Sequence, residues 1–296
     1  RESELNAGIS HRLRARCRGF LNRFRTQVRK IDILRTAPEQ TEPEDSHKPR
    51  PKTADIPKET MDILDKEPPE KLLSALPSKE ELAQYKEGWK QKKFNQPKNE
   101  NTIMAQASKN GQSIIVAFGD LFNEKVEAIV NAANGSLEGG GGIDGMIHSR
   151  ALVDGQDLMR KEAIAYKAFH KISSFPNGWA MATKPYGLKQ FKLVIFTVGP
   201  SGQSTPEKEL ELFSAVYNSM KKASDFDVAS IAATAISTGI FGFPKDIASR
   251  LFINAALTFF AQNPDSSIKT IYFTNFDSPT ADAVLKGFNE VFGLVH

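Results

Sequence analysis

From Ser113 onward, short apolar runs alternate with longer amphipathic ones, and this alternation limits the fold more than any other feature of the 296-residue chain. The runs Ser113–Phe118, Glu127–Ala132, Trp179–Thr183, Leu193–Val198, Ser230–Ala235 and Thr270–Phe276 are apolar and often β-branched, a composition that predicts strands. Between them, Met146–Val153, Leu158–Phe169, Glu207–Ser224, Asp246–Gln262 and Thr280–Phe292 carry the spacing of helices. A chain that reads in this order packs helices onto both faces of a mostly parallel sheet, so the expected class is a layered α/β fold. Ligands of such sheets sit beyond the carboxyl ends of the strands, in the loops that lead into helices.

The first hundred residues differ in kind. Between His11 and Arg35 nine Lys or Arg residues face a single acid, Asp32. Leu13, Cys17, Phe20, Phe24, Val28 and Ile31 recur there at spacings of three and four, which predicts a basic amphipathic helix over residues 11–34. An Arg-rich, acid-poor segment of this type resembles part of a mitochondrial targeting sequence. It suits equally an anionic membrane, RNA or a protein groove, or a solvated arm. The expected compartment is therefore intracellular: mitochondrial on the first reading, otherwise cytoplasmic or nuclear. Residues 36–77 read as a charged linker broken by seven prolines between Pro38 and Pro69. A helix is expected from Lys79 to Phe94, with Ser78 and Glu81 forming a capping box and Leu82, Tyr85 and Trp89 on one face. Residues 95–110 read as a polar loop. The expected organisation is thus a basic helix at 1–35, a linker at 36–77, a helix-and-loop extension at 78–111 and a globular domain at 112–296.

The single Cys17 excludes an intrachain disulfide framework and a multi-cysteine zinc site, and no apolar run approaches the ~20 residues of a membrane-spanning helix. No metal and no cofactor are expected.

Two loops stand out at strand ends. The first follows Val130-Asn131-Ala132-Ala133-Asn134 and contains Gly139-Gly140-Gly141-Gly142 before a helix that is expected to start near Asp144. Consecutive glycines let backbone amides approach an anion, and a helix start adds free N–H groups and a favourable dipole. The alternative is a flexible surface turn. Asp144 either faces a ligand's sugar or a water, or caps the helix. Asn134 either bonds ribose hydroxyls or braces the loop. His148 shares a helical face with Asp144 and reads more readily as a packed histidine than as a catalyst. The second loop, Ser237-Thr238-Gly239-Ile240-Phe241-Gly242-Phe243-Pro244, leaves the run Ile231–Ile236. Together they could clasp the two sides of a diphosphate.

With both loops in view, residues 112–292 resemble the macrodomain family, and most closely its MacroD-type ADP-ribosyl hydrolase branch. The resemblance rests on Gly119-Asp120, Val130–Asn134, Gly139–His148, Thr197-Val198-Gly199-Pro200 and Ala235–Pro244 in the family's order. The stretch Ile268–Ser278 also resembles that of the macro-histone variants. The family has a three-layer α/β/α fold around a mixed, mostly parallel sheet. By resemblance, Asp120 would accept the adenine amino group, Leu121 would offer a backbone contact, and Phe276 would neighbour the ring. Asn134 would hold the distal ribose, with Gly140, Gly141, Gly142 and Ile143 lining its entrance. Ser237, Thr238, Gly239, Ile240 and Phe241 would give amides to the diphosphate. Asp144, with Asn134 beside it, would position the water that cleaves an ADP-ribosyl ester on a protein carboxylate or O-acetyl-ADP-ribose, without a metal.

The chain departs from the family pattern after His148, where Ser149-Arg150-Ala151-Leu152-Val153 replaces an Arg-Ala-Ala-Gly continuation. It departs again at Phe175-Pro176-Asn177-Gly178-Trp179, where a Thr-Gly turn is typical. Two functions follow. The first is hydrolysis of ADP-ribosyl esters. The second is a non-catalytic ADP-ribose reader or structural subunit of a larger assembly, docked on protein or RNA through residues 11–35. Binding of RNA as the primary role ranks last, since no aromatic platform of the RNA-recognition type is present.

Overall fold

The computed structural model describes residues 63–94 and 101–294. The expected basic helix at 11–34 and the linker as far as residue 62 lie outside them. The described residues belong to one compact unit.

A short helix, α1 (Lys79–Lys86), opens behind the expected capping box: Ser78 Oγ accepts from the Glu81 amide and the Glu81 carboxylate accepts from the Ser78 amide. It stops eight residues short of the expected end at Phe94. Gly88 takes a left-handed φ of 78°, and the chain turns into β1 (Lys90–Lys93). Trp89, expected on the helix, is buried against Phe260 and Phe292 instead. Next comes β2 (Thr102–Lys109), where a polar loop was expected. Its Met104, Ala105 and Ala107 are buried, but alanine carries little strand preference and the signal is weak. The sheet therefore begins well before residue 112.

Then follow β3 (Gln112–Phe118), a 3-10 turn (Leu121–Asn123), β4 (Ala128–Ala133), α2 (Gly142–Arg150) and α3 (Leu158–Phe169). The remainder is β5 (Ala180–Thr183), β6 (Leu193–Val198), α4 (Pro206–Ser224), β7 (Ser230–Ala233), α5 (Lys245–Gln262), β8 (Thr270–Asn275) and α6 (Ser278–Val291). Every strand and helix expected beyond residue 112 is present, with ends shifted by a few residues.

One eight-stranded sheet has the order β1-β2-β3-β8-β7-β4-β6-β5. The five strands β3, β8, β7, β4 and β6 run parallel, with antiparallel β1 and β2 at one side and β5 at the other. Side chains alternate between its faces. Ala128, Val130, Leu193 and Ile195 pack with α4, α5 and α6, whereas Ile129, Ala133, Val194 and Phe196 pack with α2 and α3. The result is three layers, helices over sheet over helices. The parallel strands place the ends of β3, β4, β6, β7 and β8 along a single edge. Among the described residues no helix is long and apolar enough to cross a membrane.

Candidate functional site

The two loops chosen from sequence leave β4 and β7, which are hydrogen-bonded neighbours. At the glycine loop the chain passes Gly139 and Gly142 with φ of 88° and 63°, and Gly141 stands at the N-cap of α2 without a side-chain cap. Asp144 is therefore the third residue of the helix and does not cap it. The residue is only 2% exposed. Oδ1 accepts from Asn131 Nδ2 at 2.7 Å, and the His148 Nε2 atom lies 3.5 Å away. Oδ2 is buried with no partner, beside Gly140, where a Cβ would come within 3.2 Å of it. Burial pushes the Asp144 carboxyl above the usual aspartate range, and the Asn131 amide, His148 and Arg160 pull the other way.

Asn131 is a residue that the sequence reading did not single out. It is fully buried on β4, and Ile129 and Ala133, two positions either side, face the α2–α3 layer. An asparagine on the apolar face of a strand needs a partner, and that was the available signal. His148 packs edge-on against Phe196 with its Nδ1 2.9 Å from Asp157 Oδ2. Asp157 in turn caps α3 by accepting from the Arg160 amide.

Asn134 braces the loop from within. Its Nδ2 donates to the Gly139 carbonyl at 3.2 Å, and its Oδ1 accepts from the amide and hydroxyl of Ser136. Lys167 of α3 donates to the Ser136 carbonyl, tying the stem of the loop to the helix layer. A Cβ on Gly140 would lie 2.9 Å from Asn134 Nδ2, so the loop threads between Asn134 and Asp144.

In the second loop, Ser237 has a left-handed φ of 68° and a buried hydroxyl without a partner. The Thr238 hydroxyl donates to the Ala235 carbonyl. The amides of Gly239, Ile240 and Phe241 donate to no backbone carbonyl among the described residues, whereas Gly242 and Phe243 close the turn onto Gly239 and Ser237. Free amides in a glycine-containing turn form an anion cradle. Ile240 is 79% exposed and reaches the other loop: its Cδ1 would touch a Cβ on Gly141 at 2.6 Å. Phe241 packs partly against the α2–α3 layer.

The third part lies at the end of β3. Asp120 Oδ1 accepts from the Phe122 amide at 3.0 Å, capping the 3-10 turn in which Leu121 is buried. The Gly119 amide donates to the Asn275 carbonyl, which places the 71%-exposed Phe276 beside this turn. Thus the strand edge carries, in order, an acid at β3, an aromatic at β8, free amides at β7, and a glycine loop over a buried acid at β4. Gly142 and Ile143 form the first turn of α2, whose amides have no intrahelical partner.

A macro domain family model matches residues 130–252. A Thermotoga maritima protein of uncharacterised function is 40% identical over 186 residues, or 62% of this chain and 29% of its own greater length. A macro domain-containing protein of Methanosarcina mazei is 32% identical over 198 residues, 66% of this chain and 99% of that protein. Among solved structures, an Oceanobacillus iheyensis macrodomain with ADP superposes with a TM-score of 0.59 at 26% identity, covering 67% of this chain and all of that one. A Trypanosoma brucei macrodomain in complex with ADP-ribose gives 0.50 at 26% identity, covering 58% of this chain and 68% of that one. By strand order, loop placement and these likenesses, the chain belongs to the macro domain family.

Proposed function

We propose that the edge formed by β8, β3, β7 and β4 binds ADP-ribose, and that Asp144 orients a water for hydrolysis of ADP-ribosyl esters in the MacroD manner. Adenine would lie between Phe276 and Asp120, the diphosphate on the Gly239–Phe241 amides and the α2 amino terminus, and the distal ribose over the glycine loop. That macrodomains of similar fold were solved with ADP and with ADP-ribose supports a ligand of this class. One observation carries the catalytic part: a buried carboxylate held at one oxygen by Asn131, with its second oxygen unpartnered at the glycine loop. Such an oxygen accepts a hydrogen bond from water and leaves the water's lone pair directed outward. The water's oxygen would bond to the anomeric carbon as the bond from that carbon to the acyl oxygen breaks. The leaving protein carboxylate takes that electron pair, and the water's proton passes through Asp144 to solvent. No step needs a metal or a covalent enzyme intermediate.

The depth of Asp144 favours a second reading, that of a binder without turnover, because Oδ2 is buried beside Gly140 and a water must reach it there to react. Calorimetry with ADP-ribose, followed by release of ADP-ribose from a glutamate-linked ADP-ribosylated protein, separates the two. Binding with turnover that disappears in Asp144→Ala is the expected result. Binding without turnover in the unmodified chain leaves the reader, and absence of binding removes both.

A further inference from the structure

Arg150, the last residue of α2, stands where the sequence departs from the family pattern, and neither the resemblance nor the proposed chemistry gives it a role. Its guanidinium lies over the Phe122 ring at 3.9 Å, and its Nη1 is 3.5 Å from Asp120 Oδ2. We propose that Arg150 is a positioning residue that aims the Asp120 carboxylate at the exocyclic amine of a purine, so that this end of the site prefers 6-amino to 6-oxo bases. This deepens the ADP-ribose reading and rests on it.

Asp120 is anchored on three sides. Asn101 Nδ2 donates to its carbonyl at 3.1 Å, the Phe122 amide donates to Oδ1 at 3.0 Å, and Arg150 faces Oδ2. A carboxylate in a partly exposed loop otherwise turns about its side-chain bonds; the Asn101 contact fixes the main chain at Asp120, and the Phe122 amide and Arg150 remove part of the side-chain freedom. Arg150 is itself held, because a planar guanidinium lying on an aromatic face keeps its donors in one plane. Both partners are partly exposed, so solvent screens the ion pair and its direct contribution to stability is small. Orientation is what the contact supplies. A carboxylate accepts hydrogen bonds and donates none, so it suits an amino group, whereas a carbonyl at the same position sets acceptor against acceptor. A site built to receive an N–H discriminates strongly against an analogue that lacks it.

The geometry also links the two ends of the site. Asp144 and Arg150 lie six residues apart on one helix, about 9 Å along its axis. A single rigid element therefore sets the acid at the ribose end and, through Arg150, the acceptor at the purine end. A plainer role for Arg150 is to complement the helix dipole at the carboxyl end of α2. Any cation would serve that role, and it would not alter base preference.

The test is calorimetry with ADP-ribose and with its hypoxanthine counterpart, in which a carbonyl replaces the adenine amine. The proteins are the unmodified chain, Arg150→Met, Arg150→Gln and Arg150→Lys, each checked by thermal melting. The expected result is a wild-type preference for ADP-ribose that Arg150→Met and Arg150→Gln reduce about fivefold or more by weakening ADP-ribose alone. Arg150→Lys, which keeps the charge without the planar fork, recovers only part of it. Equal weakening of both ligands, an unchanged preference, or full recovery by lysine overturns the proposal while leaving the ADP-ribose reading in place. Failure of the unmodified chain to bind ADP-ribose removes both.

Discussion

Asp144 shows how far a single residue's role follows from its surroundings. Sequence marked it as a candidate because an acid follows a glycine run, and left open whether it capped the helix. The third helical position and the 2.7 Å contact from Asn131 close that question. Replacing it by Asn keeps the size and removes the proposed base, so the proposed turnover is expected to fall about a hundredfold or more, with ADP-ribose affinity changed only a few-fold. The pH dependence has a definite sign. Burial raises this carboxyl, and the proposed hydrolysis uses its ionised form, so on that proposal turnover climbs with pH through a midpoint above the ordinary aspartate range. A pH–rate profile with its acid limb at the ordinary aspartate position would contradict this assignment. Asn131 was not legible in the same way, since its partner stands 13 residues ahead on another element.

At the scale of elements, the glycine loop and α2 form one unit whose tolerance to substitution varies residue by residue. A Cβ on Gly145 would lie 2.3 Å from the Gly140 carbonyl oxygen, a backbone atom that moves only with the whole loop. A Cβ on Gly141 would meet only the tip of Ile240, which is exposed and free to swing. Gly145→Ala is therefore expected to weaken ADP-ribose binding about tenfold or more, near 1.4 kcal/mol, and Gly141→Ala much less, as calorimetry would show. Comparable losses at the two positions would mean that the loop is not held against α2 as described. Elements with strong periodicity, such as α3 and α4, were readable almost to the residue. The run after Lys86 was not, because Trp89 continues the helical spacing of Leu82 and Tyr85 that a left-handed Gly88 interrupts.

The whole molecule depends on a segment that sequence alone assigned to a linker. Residues 65–70 run along the outer side of β5. Glu70 exchanges backbone hydrogen bonds with Ala180, which covers the free edge of that strand. Asp65 and Lys222 form an ion pair 3.3 Å apart with both side chains 1% exposed, and Asp65 also accepts from the Ala182 amide. Removing one partner leaves a buried charge, so Asp65→Ala should cost about 3 kcal/mol or more in urea unfolding, while an apolar pair at both positions should cost far less. A loss under 1 kcal/mol for the single variant would show that the segment is not an integral part of the fold. Sequence by itself determined the α/β class, the glycine loop and the Ser237–Pro244 loop, because periodicity and turn chemistry are local and survive in a linear reading. Tertiary structure decided the pairings: Asn131 with Asp144, Arg150 with Asp120, and Asp65 with Lys222 across 157 residues. The strand order β3-β8-β7-β4-β6 does not follow the chain, so which strand ends become neighbours is a property of the packed sheet. Desolvation, which raises the Asp144 carboxyl, exists only once those neighbours have closed around it.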